Sequence, residues 1–345
     1  MEFRAEVTTR VIHDPRREFE TTAGVMETRW DPLTGQTARL LRDVERLLPA
    51  AGFDVAELAA QTRPGCPFCP DRIEAATPRF VGAGFGDGRI RVGRAVLFPN
   101  LLPYAAYSSV CVYAPDRHHL PLAEMTPVLA ADNLRAQVAF VRAAHRENPV
   151  AAAWASINGN HLLPAGSSVF HPHTQGGCHP VPTNTQAQLV SVPADRAEEY
   201  LTLERRSGQR YIATTGQIDW VAAFAPTGPG EIRGFIHGVG GLAELGDGVV
   251  VELAAGITHT MHTYAELGIS SCNLAIYGAP PQAAGCRLLA RLVCRSPLAP
   301  FYRSDVTYLE RLHAEAATDI SPEDLAARAR QHFAAGPGAV RADLG

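Results

Sequence analysis

Two histidines separated by a single residue carry the strongest chemical signal in this sequence. They are His171 and His173 in "VFHPHTQGG", and Gln175 follows at the same spacing. Side chains alternate along a strand, so these three would share one face while Pro172 and Thr174 point away. An imidazole with one nitrogen held by a backbone carbonyl can bind a metal or act as a nucleophile, and a glutamine amide can donate to a phosphoryl oxygen. The alternative is a surface loop on which these side chains are merely solvated.

A second pair of reactive residues lies in "RPGCPFCP", where Cys66 and Cys69 form a C-x-x-C on a proline-braced turn. Two thiolates at this spacing are half of a tetrahedral zinc site, which needs two further ligands from elsewhere in the chain. The candidates are His171 and either His118 or His119 in "APDRHHLP". The alternatives for a lone C-x-x-C are a redox pair or two buried thiols.

Composition narrows the chemistry that the chain can use. The 345 residues contain no lysine, so all 31 basic residues are arginine. A phosphate-loop lysine and a Schiff-base lysine are therefore excluded, and phosphate must be bound by Arg, His, backbone NH groups or a metal. The net charge of −4 shows no basic excess, which argues against nucleic acid and favours small metabolites as partners.

The sequence also predicts a cellular setting. The N-terminal residues are charged throughout and lack the apolar core of a signal peptide, and no later stretch is long and apolar enough for a membrane span. Seven cysteines spread over a long chain favour reduced thiols over a disulfide framework, with those outside the C-x-x-C buried as small hydrophobes. We therefore expect a cytoplasmic protein without a membrane partner.

The elements that must position these residues follow from periodicity and from turn signals. Residues 127–147 have the apolar spacing of an amphipathic helix, with Thr126 as cap and Pro127 as first residue. Before them the pattern predicts a strand within 27–37, a helix over 38–48 and strands separated by Pro-rich turns over 89–115. After them it predicts a strand in "AAAWASINGN", a hairpin-like return strand bearing "HPHTQ", and an extension of the sheet over 183–192.

The second half repeats this alternation of strands and long helices. The predicted elements are a helix at 194–208, strands near 211–225 and 231–236, a helix over 247–267, strands near 271–278 and 286–295, and a helix pair over 305–335. The fold class we predict is α+β, with two similar units that each consist of an antiparallel sheet flanked by helices.

Taken in order, "CPFC", "APDRHH" and "NHLLPAGSSVFHPHTQ" resemble the galactose-1-phosphate uridylyltransferase family of the histidine-triad superfamily. "RWDPLTGQ" and "LFPNLLPYA" are similar to its opening and nucleotide-side segments. The resemblance covers residues 28–335 and is most specific in the pattern N…G-x-S-x-x-H-P-H-x-Q. It implies two histidine-triad-like units: a catalytic unit at 1–195 with the zinc site and the H-P-H-x-Q motif, and a second unit at 196–345.

The resemblance also implies roles for individual residues. Zn²⁺ would be the cofactor, and its ligands would be Cys66, Cys69, His118 and His171, with His119 open as the alternative to His118. His173 would attack the α-phosphate of a nucleotide sugar and then pass the nucleoside monophosphate to a second phosphate.

The remaining site residues follow from the same pattern. Ser168 and Gln175 would assist catalysis by contacting the phosphates. Asn160, Gly166 and Asn100 would bind the nucleotide, with Asn100 beside the nucleoside. The implied partners are a nucleotide sugar and a phosphorylated acceptor, and the implied assembly is a homodimer whose subunits complete each other's sites.

The sequence departs from the family in its second half. Where the family carries a further metal site, with a His before "GAP" and an H-x-H on the next strand, this chain has Tyr277, Leu289 and Arg291. We therefore expect that the second metal site is lost and that specificity for galactose has changed. Two other functions stay open: a nucleotide-sugar or dinucleotide phosphorylase that uses inorganic phosphate, and a non-catalytic zinc-stabilised nucleotide-binding protein.

Overall fold

A ten-stranded sheet runs through the protein in the computed structural model, which describes residues 1–42, 55–283, 285, 288–298 and 304–335. All neighbouring strands in this sheet are antiparallel, in the order β4-β5-β6-β8-β7-β12-β13-β11-β10-β9. The strands are β4 (Ile90–Val92), β5 (Ala95–Pro99), β6 (Tyr107–Val112), β7 (Trp154–His161), β8 (His173–His179), β9 (Tyr211–Thr215), β10 (Ile218–Ala222), β11 (Ile232–Ile236), β12 (Cys272–Gly278) and β13 (Leu288–Cys294).

The two halves of the large sheet have the same topology. Each half contains three consecutive strands, a long helix and two further strands, and its last strand inserts beside its third. The long helices are α3 (Pro127–Glu147) and α6 (Asp247–Glu266). The halves meet where β7 pairs with β12, with Ile157 opposite Ile276. The predicted α+β class with two similar units is confirmed. The sheets of the two units join through the β7–β12 pair into the single ten-stranded sheet. The boundary at residue 195 stays a prediction.

Helices α3 and α6 share the main core with the large sheet. Buried Leu134 and Val138 from α3, Leu253 from α6, and Ile157 and Ile276 from the central strands belong to one cluster. Burying side chains of this size contributes about 1.5–3 kcal/mol each, which favours the helix-on-sheet arrangement. The opposite face carries smaller apolar clusters, around Phe98 and Val110 in the first half and around Phe235 and Leu289 in the second, in addition to the polar side chains described below.

The boundaries of α3 are those that its sequence predicts. The Oγ1 of Thr126 accepts a hydrogen bond from the backbone N–H of Leu129, and Pro127 occupies the first turn, where its missing N–H is not needed. The helix ends at Glu147, and Asn148 is its C-cap, ahead of Pro149. The predictions of a strand in 27–37, of α5 (Ala194–Ser207), of α6 and of the strands at 89–115 are likewise confirmed.

A smaller sheet packs beside the large one and corrects the prediction of a helix over 38–48. Its order is β1-β2-β3-β14, formed by β1 (Ala5–Asp14), β2 (Glu20–Trp30), β3 (Thr37–Arg42) and β14 (Ala316–Thr318). Residues 38–42 are therefore strand, while 43–48 lie outside the described residues. Ala38 and Leu40 are buried and their neighbours are more exposed, so the true period is two. The apolar spacing of Leu40, Leu41 and Val44 fits a helix as well as a strand, because a run this short does not distinguish the two periods.

The prediction that residues 183–192 extend the sheet is also wrong, because this segment is helix α4 (Asn184–Ser191). Thr183 and Gln186 form a reciprocal capping box: the Thr183 hydroxyl accepts from the Gln186 backbone, and the Gln186 amide oxygen accepts from the Thr183 backbone. Thr-x-x-Gln is a helix-start signature that outweighed the β-branched residues nearby.

The remaining helices are short or lie toward the ends of the chain. They are α1 (Val55–Thr62), α2 (Ile73–Ala76), α7 (Tyr308–His313) and α8 (Pro322–Ala334), and the last two are the predicted pair, separated by β14. Within the described ranges, none of the helices combines the length and the apolar character that crossing a membrane requires.

Candidate active site

Four buried side chains from three parts of the chain converge beside the start of β8. They are Cys66 and Cys69 on the turn after α1, His118 in the loop after β6, and His171 just before β8. One ligand atom from each lies within 4.8 Å of the other three. Dispersed positions in the sequence therefore form a single cluster of two sulfur and two nitrogen donors.

The distances in this cluster fit a tetrahedral ion. The Nδ1 of His118 lies 3.4 Å from the Sγ of Cys69, and the Nδ1 of His171 lies 3.7 Å from the Sγ of both cysteines. Zn–S bonds of about 2.3 Å and Zn–N bonds of about 2.0–2.1 Å at tetrahedral angles require N···S separations of about 3.5 Å. The donor set therefore has the size and the soft character that a zinc-type ion needs.

The imidazoles of the cluster are oriented by hydrogen bonds from their other nitrogen. The Nε2 of His171 donates to the backbone carbonyl of Ala114 at 3.1 Å, and the Nε2 of His118 lies 3.1 Å from the hydroxyl of Thr62. The Thr62 hydroxyl donates onward to the carbonyl of Leu58. These contacts favour the tautomer with a proton on Nε2, which leaves each Nδ1 lone pair for a metal.

Burial determines the protonation of the cluster. It lowers the pKa of His171 to about 4 and also lowers the pKa of His118, so both imidazoles are neutral near pH 7. Burial, together with the neighbouring Cys66, raises the pKa of Cys69 to about 11. A bound cation would reverse this preference for the thiol, because metal binding deprotonates coordinating cysteines.

The structure distinguishes between the two adjacent histidines that the sequence leaves open. Both rings lie against Phe170, at centroid distances of 5.6 Å for His118 and 5.4 Å for His119, but only His118 joins the cluster.

The C-x-x-C turn also contacts His173, which follows the cluster residue His171 by two positions. Phe68, between the cysteines, is buried and lies against Phe98. Its ring centroid is 6.1 Å from that of His171 and 5.3 Å from that of His173, edge-on in both cases. The two histidines therefore lie on the same side, as alternation predicts, and the cysteine turn packs directly on His173.

His173 has one nitrogen held and one available. Its Nδ1 lies 2.8 Å from the backbone carbonyl of His171, so Nδ1 carries the proton and donates it. Burial lowers the pKa of His173 and keeps the ring neutral. Within the described part of the chain, its Nε2 makes no hydrogen bond, and the side chain is only partly buried. This is the protonation state that a nucleophilic imidazole needs.

A buried network behind β8 fixes the strand that presents His173. Thr174 points to the helix side, where its hydroxyl donates to the Oδ1 of Asn133 at 2.6 Å and accepts from the Nε2 of Gln137 at 3.0 Å. Gln137 also accepts from the Ser109 hydroxyl, and Asn133 donates to the carbonyl of Cys111. All four polar side chains of this network are at most 1% exposed.

This network is not among the features predicted from the sequence. The threonine in "HPHTQ" was a usable signal, because alternation turns Thr174 toward α3, where its hydroxyl must find a partner. Gly176 follows on the same face and permits the close approach: a Cβ there would lie 2.3 Å from the Gln137 amide oxygen and 2.5 Å from the Ser109 hydroxyl.

The other residues expected in the site are distributed around His173. Gln175 lies on the same face of β8 and pairs with Asn158 of β7. This register ends with Gly159 opposite Thr174, so Asn160 and His173 are the next residues of their strands. Gly166 has a left-handed φ of 92° in the loop that leads to Ser168, and both residues are exposed.

Asn100 lies at the turn between β5 and β6. Its backbone N–H donates to the carbonyl of Ser108, and its side-chain oxygen accepts from the N–H of Leu102. The exposed Leu101, Leu102 and Tyr104 follow it.

The corresponding strands of the second half have a different composition. Tyr277 and Arg291 are in contact, with the guanidinium 5.6 Å from the ring centroid, and Leu289 is buried among apolar side chains. Arg291 also pairs with buried Glu231 at 2.9 Å. The loss of a second metal site stays a prediction. All six cysteines in the described ranges are buried and free of disulfides.

Comparison with known proteins identifies one related sequence. No family model matches the chain. An uncharacterized protein from Archaeoglobus fulgidus is 32% identical over 343 residues, which cover 96% of this chain and 98% of that protein.

Solved structures with the same fold include a GALT-like protein from Arabidopsis thaliana, with a TM-score of 0.63 at 20% identity over 89% of this chain and 98% of that one. An Arabidopsis thaliana ADP-glucose phosphorylase with bound ADP-glucose has a TM-score of 0.63 at 20% identity, over 89% of this chain and 99% of its own. A uridylyltransferase has a TM-score of 0.58 at 19% identity, over 89% and 98% of the two chains. At these identities the likeness establishes the fold.

Proposed function

Because the chain belongs to one family with the Archaeoglobus fulgidus protein and has the fold of the uridylyltransferases and GALT-like proteins, we propose that it is a nucleotidylyltransferase. It moves a nucleoside monophosphate from a nucleotide sugar to a phosphorylated acceptor, with His173 as the covalent carrier. The observation that carries this proposal is the hydrogen bond from His173 Nδ1 to the His171 carbonyl, which leaves Nε2 as the free lone pair.

The proposed reaction has two displacement steps. In the first, the Nε2 lone pair of His173 forms a bond to the α-phosphorus, and the bond to the bridging oxygen breaks, so that the sugar phosphate leaves with the electron pair. In the second, an oxygen of the acceptor phosphate attacks the same phosphorus, the N–P bond breaks and neutral His173 returns. The proton stays on Nδ1 throughout, where it is donated to the His171 carbonyl.

The remaining site residues are proposed to hold the phosphates. Gln175 projects from the same strand face as His173, Asn160 follows the last residue of β7 that pairs with β8, and Ser168 and Gly166 belong to the loop that precedes His173. Amide and hydroxyl donors suit this task in a chain without lysine, because they stabilise charge that develops on phosphoryl oxygens. Asn100 is proposed to lie against the nucleoside.

We propose that Cys66, Cys69, His118 and His171 hold Zn²⁺ with a structural function. A four-coordinate ion of this type stabilises the fold locally and supplies no open coordination position. One of these ligands, His171, lies two residues before the nucleophile, and Phe68 packs on both His171 and His173. The protein's own contribution is therefore the fixed position of the His173 ring, which keeps the reacting nitrogen close to phosphorus.

Intact-protein mass spectrometry tests the covalent step. The protein is mixed with a panel of nucleotide sugars that includes UDP-glucose and ADP-glucose, and the mass added to the chain identifies the transferred group. We expect one nucleoside monophosphate per chain, absent in His173→Ala. The matched control is His179→Ala at the far end of β8, which should retain the adduct. An unmodified parent chain with every donor would favour the non-catalytic nucleotide-binding alternative.

The identity of the acceptor separates the two enzymatic alternatives. Once the adduct has formed, it is challenged with a hexose 1-phosphate or with inorganic phosphate. Discharge by the sugar phosphate alone indicates a transferase, and discharge by inorganic phosphate indicates a phosphorylase. The name of one structural neighbour, an ADP-glucose phosphorylase, makes the second outcome a specific candidate.

Two further expectations belong to this proposal. A homodimer would complete the site across subunits, and light scattering after size-exclusion chromatography measures the assembly directly. The cytoplasmic setting is tested by fractionating cells that express the full-length protein.

A further inference from the structure

Asn160 is linked to the second half of the molecule by side chains that the proposed mechanism does not use. It stands opposite Asn273 where β7 pairs with β12. The Nδ2 of Asn273 donates to the Oδ1 of Asn160 at 2.7 Å and to the backbone carbonyl of Ala165 at 2.9 Å. One amide thus contacts both a proposed phosphate-binding side chain and the loop that leads to Ser168.

Arg295 continues this chain of contacts from the end of β13. Its NH1 donates to the Oδ1 of Asn273 at 2.7 Å. Its Nε donates to the Oδ2 of Asp305 at 2.8 Å, and its NH2 donates to the Oδ1. Asp305 also accepts from the backbone N–H of Ser296 at 2.8 Å. The guanidinium is held on two sides and is mostly buried.

The direction of these hydrogen bonds is fixed by chemistry. A guanidinium only donates, so the Asn273 atom that faces Arg295 must be its oxygen. A carbonyl only accepts, so the Asn273 atom that faces Ala165 must be its nitrogen. The same nitrogen meets the side chain of Asn160, which must therefore present its oxygen to Asn273. The Nδ2 of Asn160 is left directed away from Asn273, and it has no hydrogen-bond acceptor among the described residues.

We propose that Arg295 and Asn273 are positioning residues that orient Asn160, so that its N–H groups face the phosphate of the nucleotide. This inference rests on the proposed function and deepens it, because it requires an anionic ligand beside His173. Without the hydrogen bonds from Arg295 to Asn273 and from Asn273 to Asn160, the Asn160 amide could flip by about 180°. It would then present its oxygen to the phosphate, and this oxygen would repel a phosphoryl oxygen. Asp305 holds Arg295 in place and does not itself contact Asn160.

Reversal of the hydrogen-bond direction tests this proposal without removing the contacts. Asn273→Asp introduces a side chain that only accepts, which pairs well with Arg295 but forces Asn160 to donate its N–H groups to it. We expect the rate of adduct formation at saturating nucleotide sugar to fall by about 10²-fold, the usual loss when one donor to a developing charge is removed. A purely structural role would instead lower the melting temperature.

The added negative charge is controlled by a double variant. Asn273→Asp combined with Asp305→Asn restores the parent net charge while the direction stays reversed, so this protein should remain as slow as Asn273→Asp. Recovery of the parent rate in the double variant would overturn the proposal in favour of a simple charge effect. Arg295→Lys keeps a donor and should retain most of the rate, whereas Arg295→Gln can donate or accept and should be intermediate.

The outcomes distinguish this inference from the proposed function. Absence of an adduct on the parent chain contradicts the function itself. If the parent and Asn273→Asp form the adduct equally fast, at an unchanged melting temperature, the positioning role of Arg295 and Asn273 is contradicted and the proposed function is not. A loss of rate that tracks a loss of folded protein across all four variants would also count against orientation as the cause.

Discussion

His118 and His119 are adjacent in sequence but differ in what surrounds them. Both rings pack on Phe170, but the Nδ1 of His118 faces the Sγ of Cys69, with its Nε2 at the Thr62 hydroxyl, while His119 lies outside the cluster. Burial lowers the pKa of both rings, so protonation does not distinguish them; their position relative to the cysteines does. Of these two neighbours, His118 has its Nδ1 lone pair directed at the Sγ of Cys69, and His119 is not part of the cluster.

This difference predicts metal content. His118→Ala removes one of four ligands and should reduce bound zinc well below one ion per chain. His119→Ala, the matched control, should keep about one ion per chain, since a structural site binds a single Zn²⁺. Inductively coupled plasma mass spectrometry of the purified proteins measures the ratio. Equal zinc in both variants would show that the cluster does not hold the metal.

At the scale of elements, α3 and β8 are joined by buried hydrogen bonds as well as by apolar packing. Gln137 bridges the Ser109 and Thr174 hydroxyls, and Thr174 lies between the proposed nucleophile and Gln175. Buried polar groups that are fully paired hold a single geometry, because any displacement leaves one of them unsatisfied. The network therefore fixes both the register of β8 and its distance from the helix.

Substitution Gln137→Leu should destabilise the fold by about 1–3 kcal/mol, because it leaves buried hydroxyl groups without partners. Gln61→Leu on the exposed face of α1 is the matched control and should change the free energy of unfolding by at most about 0.5 kcal/mol. Urea unfolding followed by circular dichroism measures both. A cost at Gln137 no larger than at Gln61 would show that the network is not stabilising.

At the scale of the whole molecule, a buried ionic cluster joins the small sheet to the large one. Arg233 on β11 is 2% exposed and lies 2.6 Å from both Asp31, in the turn after β2, and Glu231. Arg291 contacts the same Glu231. Burial alone would raise the pKa of Glu231, but the two guanidinium groups outweigh it and lower that pKa to about 2.

Removing the central cation should uncouple the two sheets. Arg233→Met leaves Asp31 and Glu231 buried without their main partner, which should cost about 3–5 kcal/mol of folding free energy. Arg206→Met, on the exposed side of α5, is the control and should be nearly neutral. Thermal and urea unfolding measure the difference, and a neutral Arg233→Met would mean that apolar packing alone holds the sheets together.

The same cluster predicts a pH dependence of stability. The folded pKa of Glu231 lies below its ordinary value of 4.5, so its contribution is complete above pH 4.5 and is lost as the pH falls toward 2. The free energy of unfolding should fall by up to about 1.4 kcal/mol per pH unit in this window from this group. Glu231→Gln should flatten that slope, and Glu20→Gln on exposed β2 should leave it unchanged. Equal slopes in all three proteins would contradict the assignment.

The sequence by itself determined the α+β class and the bounds of α3, and it named the cysteines and histidines that the structure brings into one cluster. These features depend on local periodicity, capping and short motifs, which a single segment contains in full. It failed at β3 and α4, where apolar spacing was ambiguous over a few residues and the pairing partner or the capping box decided the outcome.

The tertiary structure alone decided how those residues act together. It brought His118 rather than His119 to the cysteines, set the network of Thr174 and Gln137 behind β8, and joined Asn160 to Asn273 and Arg295 across the central strands. These contacts link residues that are tens to more than a hundred positions apart. Their partners are selected by packing and by the need to satisfy buried polar groups, and no local pattern in the chain encodes that choice.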